Sequence, residues 1–421
     1  MKGPEYYDRI YTEPYDWEKY RSIYDAIIRH LPENKDTRIL DLGCGVGGFL
    51  RICWIEGYRN LCGIDFSQNA IRQATELLPE DFDKNRLIVG DVDFITDMFM
   101  RESKKLDVIV MVELLEHIGN DIGLVKKLRE LLNPGGFIIG TVPNRQMPPE
   151  ITESHVRMYD ERSFMETFKH PGRLLHRTKP GDTRFNFIMF KFWKDTPKPK
   201  ISYVIPAYMG DHYLSETIQS LTEQTIEEIE IIVINDGSPD YTHDLMQWWV
   251  KNDSRIRYFR LNQNRGVVFA RNYGNKKARA NIIGVSDQDD ISLPIRSEVT
   301  LKMFTQHPEI SCLYSSYYEC DVDGEPMVLY EAEPMNREIF DKKQWKTWFH
   351  SSAAYHKKDI LELPYRKREG CTDDWVFLDR WTKAGKVFYP VKEVLANCRR
   401  LPTGVMADRR RQMGAGPNYY L

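Results

Sequence analysis

Short apolar runs alternate with longer amphipathic stretches from residue 38 to residue 140, and the same rhythm restarts at Ile201. In the first series the runs cover residues 38–41, 60–65, 87–90, 107–111 and 136–140. Unbroken hydrophobicity over so few residues suits strands buried on both faces. The stretches between them, such as 68–77 and 123–132, repeat apolar residues at helical spacing. This alternation predicts a doubly wound parallel sheet. It closes differently, because residues 174–177 and 185–190 flank a turn at Pro180-Gly181-Asp182 and so predict a terminal hairpin. Lys194-Asp195-Thr196-Pro197-Lys198-Pro199-Lys200 then breaks the pattern with alternating Pro and Lys, the composition of an extended, solvated connector. The expected organisation is an α/β domain over 1–193, a linker over 194–200 and a second α/β domain over 201–421. No motif recurs between the halves, so the chain reads as a fusion and not a duplication.

Composition supports that division. A chain of 421 residues exceeds one ordinary core and suits two domains. With 42% hydrophobic and 29% charged residues it carries no signature of disorder. A formal net charge of −3 argues against non-specific nucleic-acid binding as the main task. Local basic clusters at 366–368 and 409–411 read either as solvated surface or as contacts for diphosphates or anionic headgroups. Seven cysteines, odd in number and without a CxxC pair, fit reduced thiols in a cytoplasm. The first residues lack the apolar run of a signal peptide, and no stretch reaches the length of a membrane span. The expectation is a cytoplasmic protein, at most peripheral to the inner face of the membrane.

In the first half, Asp41-Leu42-Gly43-Cys44-Gly45-Val46-Gly47-Gly48 ends a strand and runs into a helix, where glycines let the backbone approach a ligand. Dinucleotide sites share such a turn, and Asp65 at the second strand's end would grip ribose hydroxyls in either class. Two details break the tie. Asp41 precedes the first glycine, where a carboxylate faces an ammonium better than a pyrophosphate. Gly90-Asp91 ends the third strand, where an acid can meet an adenine amine. Together with Asn133-Pro134-Gly135-Gly136, these residues resemble the class I S-adenosylmethionine (SAM)-dependent methyltransferases over residues 5–193. The resemblance implies a Rossmann-like sheet and a SAM site formed by Asp41, Gly43, Gly45 and Asp65, with Asp91 on the adenine.

Glu113-Leu114-Leu115-Glu116-His117 follows the fourth strand, and His155 comes later. Two carboxylates and two imidazoles can hold a divalent cation that chelates neighbouring hydroxyls, and the arrangement resembles the metal-dependent branch found in ubiquinone-pathway and small-RNA 2′-O-methyltransferases, which a sugar diol would suit. The other reading is a pocket without metal, in which His117 or His155 is a simple base. Both readings favour O-methylation.

The second half carries Val285-Ser286-Asp287-Gln288-Asp289-Asp290 after a strand. Clustered carboxylates repel and call for a compensating cation, which Mg²⁺ or Mn²⁺ bridging to a diphosphate supplies. Asn235-Asp236-Gly237-Ser238 is a second acidic strand-end turn able to accept from a nucleobase imide. Downstream, Thr372-Asp373-Asp374-Trp375 offers a carboxylate to deprotonate an acceptor hydroxyl. With residues 204–208, Ser220, Gln224 and Arg271-Asn272, this ordered series resembles family 2 glycosyltransferases of the GT-A fold over about residues 200–400. The resemblance implies that Asp236 reads the base, that Arg271, Asp287 and Asp289 belong to the nucleotide-sugar site, with Asp287 and Asp289 on the metal, and that Asp374 is the base of an inverting displacement. Met209 departs from the family's usual Asn, Asn235 from a first acid, and Asp373 from Glu. Trp375, Leu378 and Trp381 form a helical stripe that reads as core, and Arg399 and Arg400 read as candidates to fold over the diphosphate.

The joint expectation is a bifunctional enzyme, using SAM and a nucleotide-sugar donor to build or cap an O-methylated surface polysaccharide or glycolipid. Its acceptor would be a glycan or lipid-linked glycan. The alternatives are the same activities on a small-molecule or protein acceptor, or one half serving only as a binding module.

Overall fold

In the computed structural model the described residues are 3–92, 98–99, 105–144, 159–160, 164, 167–168, 172–176, 187–342 and 348–401. They form two compact units: Met1–Thr196 with Lys251–Ser254, and Pro197–Val250 with Arg255–Leu421.

The first unit holds strands β1 (Ile39–Leu42), β2 (Leu61–Asp65), β3 (Leu87–Val89), β4 (Leu106–Val112), β5 (Leu132–Pro143), β6 (Gly172–His176) and β7 (Phe187–Trp193) in the order β3-β2-β1-β4-β5-β7-β6. β1 to β5 pair in parallel, while β7 runs antiparallel to both β5 and β6. The hairpin forms as the sequence predicts, although its turn lies outside the described residues. Successive strand residues alternate between two cores. Ile39, Val108, Val110 and Ile139 pack on one face, and Leu40, Ile109, Met111 and Ile138 on the other. The helix Gln68–Leu77 begins where Ser67 accepts from Ala70 N, a side-chain cap that fixes the start the pattern predicts. Asn133-Pro134-Gly135-Gly136, expected just before the fifth strand, lies within β5.

The second unit contains β8 (Ile201–Ala207), β9 (Ile229–Asn235), β10 (Ile256–Arg260), β11 (Ile282–Val285), β12 (Ile291–Ser292), β13 (Cys312–Cys320), β14 (Pro326–Tyr330), β15 (Ala354–His356) and β16 (Phe388–Arg399). The order is β10-β9-β8-β11-β15-β13-β16-β12, with β14 paired to β13. β8 to β11 form a parallel half, and β15 joins antiparallel. Ile201, Tyr203 and Ile205 face one core; Val204, Ile232 and Ile283 face the other. Arg399, a candidate from sequence to fold over the diphosphate, instead ends β16, which pairs with β13 and β12.

Met209, where the resembled family usually has Asn, takes a left-handed φ of 54°. Asn adopts that region more readily than a long side chain, so the departure carries a steric cost that Asn would lessen.

Candidate active sites

In the first unit the carboxyl ends of β1, β2 and β4 open onto a cavity of about 690 Å³. Gly43 and Gly45 turn the chain at φ of 76° and 51°, a region other residues enter at a cost, and so bring bare backbone to the cavity wall. Asp65 holds this turn: its Oδ2 accepts from Gly45 N at 2.9 Å and its Oδ1 from Ser67 N at 2.9 Å. Its expected ribose contact is therefore left to its remaining lone pairs. Asp91 lines the cavity from the end of β3.

Asp41 is 2% exposed and lines the cavity. Burial, with the neighbouring Asp65, pushes its pKa up to about 8. A carboxyl raised in the folded state contributes most to stability below its unfolded pKa, and that contribution falls as pH rises toward 8. Asp41→Asn is therefore expected to raise the melting temperature of the ligand-free first unit at pH 7 by a few degrees while removing its response to SAM. Calorimetry with and without SAM checks both halves, and a SAM response that persists in the variant would remove Asp41 from the ammonium site.

Glu113, Glu116 and His117 also line the cavity. Glu113 has a left-handed φ of 51° and accepts from Thr141 Oγ1 at 2.9 Å. Glu116 is 1% exposed, and neither carboxyl oxygen has a hydrogen-bond partner among the described residues. Burial raises Glu113 to about 7; burial and then Glu113 raise Glu116 well above its ordinary value. His117 shares a 3.1 Å hydrogen bond between Nδ1 and Tyr7 Oη, with Nε2 3.8 Å from Glu116 Oε1. His155 lies outside the described residues. No group of three or more His, Cys, Asp or Glu among the described residues is arranged to hold a metal ion in either unit. The carboxylate and imidazole chemistry here nevertheless suits a divalent cation, and Glu116 has oxygens to give.

The sequence reading missed the roof of this cavity. Tyr7, Tyr11, Tyr15, Trp17 and Tyr20 line it from the amino-terminal segment. The hydroxyl of Tyr11 lies 3.3 Å from where a Cβ on Gly45 would stand. Asp8 and Gln73 tie the segment down, Asp8 accepting from Ser67 Oγ at 2.6 Å and Gln73 donating to Tyr11 O at 2.8 Å. The available signal was the run of aromatics before the first strand, in which Tyr7, Tyr11 and Tyr15 recur at helical i, i+4 spacing.

In the second unit, Arg271 is the organising residue. It is 6% exposed on the helix Val267–Lys277, with Nη2 2.7 Å from Asp287 Oδ1 and Nε 3.0 Å from Asp373 Oδ2. One guanidinium thus joins the loop after β11 to the first turn of the helix Asp373–Lys383. Burial would raise Asp373, but Arg271 and then His350 hold its pKa below the ordinary value. Asp374, beside it, accepts from Trp375 N at 2.8 Å. His350 is buried, shares a 2.6 Å hydrogen bond with Tyr365 Oη, and is lowered in pKa by burial and Arg271. Asp373, Asp287 and Asp374 all act on it electrostatically.

The compensation of clustered acids, assigned from sequence to a metal alone, is shared by arginines. Arg399 was expected over a diphosphate; at 5% exposure it braces the acidic loop from behind. Its Nε donates to Asp289 O at 3.1 Å, its N to Asp290 Oδ1 at 3.2 Å, and it pairs with Glu216. Arg400 pairs with Glu319 at 3.1 Å. Asp289 remains raised to about 6 by burial and by Asp287. A cation binding there competes with a proton, so Mn²⁺ affinity is expected to fall roughly tenfold per pH unit below about 6. Calorimetric Mn²⁺ titrations at pH 5 and 7 check this; equal affinities would exclude Asp289 as a ligand.

Asp236 is 3% exposed, and its oxygens accept from Arg265 N at 2.8 Å and Gly266 N at 2.7 Å. It fixes the loop ahead of the Arg271 helix, and the expected nucleobase contact falls to its remaining lone pairs. Leu378 and Trp381 are core, as expected, while Trp375 packs on Phe340 under Arg368.

Two family models match the chain, one described as a methyltransferase domain over residues 16–179 and one as glycosyl transferase family 2 over residues 202–361. An uncharacterized glycosyltransferase of Rickettsia bellii is 33% identical over 143 residues, covering 34% of this chain and 20% of its own. One from Methanocaldococcus jannaschii is 28% identical over 211 residues, covering 48% and 71%. Staphylococcus aureus TarS 1–349 in complex with UDP-GlcNAc is similar at 17% identity and a TM-score of 0.42, covering 49% of this chain and 60% of that one. The chain spans 20%, 26% and 52% of the length of three curated relatives it matches.

Proposed function

We propose that this chain, which joins a methyltransferase domain to a family 2 glycosyltransferase domain, performs two group transfers on one glycan. One is O-methylation from SAM; the other is inverting transfer of a sugar from a nucleotide-sugar donor to a glycan or lipid-linked glycan. Together they build or cap an O-methylated surface polysaccharide or glycolipid. The observation that supports the reading most is the pairing of Asp287 and of Asp373, the residue before Asp374, with a single buried guanidinium.

In this reading Asp374 takes the proton of the acceptor hydroxyl as that oxygen attacks the anomeric carbon. The nucleoside diphosphate departs from the opposite face, and one displacement inverts the configuration. Asp287 and Asp289 would hold a divalent cation, whose charge stabilises the departing diphosphate. Arg271 keeps the two acidic elements in register, and Asp236 keeps the preceding loop in place. In the first domain, Gly43 and Gly45 give SAM close backbone contact, Asp41 receives its ammonium, and Asp65 and Asp91 meet ribose and adenine. Bound SAM supplies an electrophilic methyl group. His117 accepts the acceptor hydroxyl's proton, held in orientation by Tyr7; Glu113, Glu116, His117 and His155 would hold a cation if one binds. Among the described residues no helix is long and apolar enough to cross a membrane, and a cytoplasmic protein at most peripheral to the inner face is part of the proposal.

The test is incubation with labelled SAM, a panel of nucleotide sugars with Mn²⁺, and short glycans. Label that never enters a saccharide would end the shared-product reading. Adding a chelator is expected to suppress sugar transfer at least ~100-fold; transfer undiminished by the chelator would remove the metal from the mechanism. Methylation followed in the same samples separates the two accounts of Glu116 and His117.

A further inference from the structure

We infer that Gln288 is a positioning residue whose amide clasps the turn Tyr208-Met209-Gly210 and so holds the nucleoside end of the donor site beside its diphosphate end. The inference rests on the glycosyl-transfer reading and names what joins the two ends of its donor site.

Gln288 stands between Asp287 and Asp289, the two acids assigned to the cation. Its clasp has two points. Gln288 Oε1 accepts from Tyr208 N at 2.8 Å, and Gln288 Nε2 donates to Tyr208 O at 3.1 Å. One orientation of the amide satisfies both bonds, since a flipped one would set N–H against N–H and oxygen against oxygen. Gly210 makes room for it: a Cβ there would stand 2.9 Å from Gln288 Oε1.

The turn is held on its other side by the segment that carries Asp236. Asp236 N donates to Ala207 O at 2.8 Å, Met209 N to Ser238 Oγ at 3.1 Å and Gly210 N to Thr242 Oγ1 at 3.0 Å. The glycosyl-transfer reading sets the nucleobase at Asp236, so the turn bonded to that segment belongs to the nucleoside end. Between the two supports Met209 keeps its left-handed φ of 54°. Such a conformation persists where the surroundings impose it, and a turn released on one side is expected to relax away from it.

The two ends do not depend on the Gln288 amide equally. The acidic loop has other anchors. Arg271 pairs with Asp287, whose N donates to Ser351 Oγ at 2.8 Å; Arg399 holds Asp289 O and Asp290; and Thr217 Oγ1 donates to Gln288 O at 2.9 Å. Tyr208, 40% exposed, has both its backbone groups on the amide. Removing the amide therefore frees the turn and leaves the acids in place. A nucleoside must then order the turn as it binds, a loss on the scale of fixing the backbone of one residue. Diphosphate and cation, held by the acids, lose nothing comparable.

The test uses the full-length chain and calorimetric titrations of UDP, GDP and pyrophosphate, each with Mn²⁺; weak pyrophosphate binding is read by competition against the nucleotide. Gln288→Ala is expected to weaken the nucleotide that binds by about tenfold and to leave pyrophosphate within about twofold. Retained pyrophosphate binding shows that the variant is folded. Gly210→Ala displaces the same amide by its added Cβ and is expected to give the same signature. The double variant is then no more than about twofold weaker than either single one, because one clasp cannot be lost twice. Nucleotide affinity unchanged in Gln288→Ala overturns the clasp. Equal losses of nucleotide and pyrophosphate overturn it too, by making the amide a support of the acids, and so do single losses that multiply in the double variant. A wild-type chain that binds nucleotide and no pyrophosphate overturns the division into two ends, and the clasp alone falls with it. Silence toward both UDP and GDP sinks the glycosyl-transfer reading itself.

Discussion

Asp374→Asn is expected to lower sugar transfer by ~10²–10⁴-fold while leaving nucleotide-sugar affinity nearly unchanged. Asn keeps an oxygen to accept from Trp375 N, so the helix start that Asp374 supports survives the substitution. What is lost is a carboxylate able to take a proton. Asp373 cannot take over, because Arg271 occupies it at 3.0 Å and holds it in its ionised form. Asp373→Asn has a different signature. It releases one arm of the Arg271 pair, so donor affinity and turnover are both expected to fall. Steady-state kinetics with separate donor and acceptor titrations distinguish the two variants. Retained turnover in Asp374→Asn removes it from the role of base.

Gly45→Asp is expected to weaken SAM binding by ~100-fold or more, about 3 kcal/mol, without affecting sugar transfer. Three effects act together. A φ of 51° is costly for a residue with a Cβ. The new Cβ would stand 3.3 Å from the Tyr11 hydroxyl, and a carboxylate would join Asp41 and Asp65, both already raised in pKa by burial. Calorimetric SAM titration checks the loss, and a nucleotide-sugar turnover assay on the same sample checks the second half. Loss of both activities would mean that the two domains are coupled more tightly than proposed.

The positions of the strand-end acids were legible in the sequence. Asp41, Asp65, Asp236 and Asp287 each follow an apolar run, and in parallel sheets with covered faces such runs are hard to mistake. Their partners were not legible in the same way. Asp65 and Asp236 read as ligand contacts, yet each spends two hydrogen bonds on loop amides, from Gly45 and Ser67 or from Arg265 and Gly266. A sequence shows that a carboxylate is present at a turn, but not how many of its lone pairs the turn itself uses. Arg399 shows the same limit. Near the end of the chain it looked free to close over a ligand, whereas pairing of β16 with β13 buries it behind Asp289 and Asp290.

By itself the sequence determined two α/β units, the terminal hairpin of the first, and the turns that carry glycines and acids, since hydrophobic period and turn chemistry are local properties. Only the tertiary structure decided which distant groups meet: Arg271 between Asp287 and Asp373, Tyr7 on His117, and the tyrosines of the amino-terminal segment over the glycine turn. Those meetings depend on how sheets and helices pack, where a single buried charge or ring finds its partner across a hundred residues and no periodic signal records the choice.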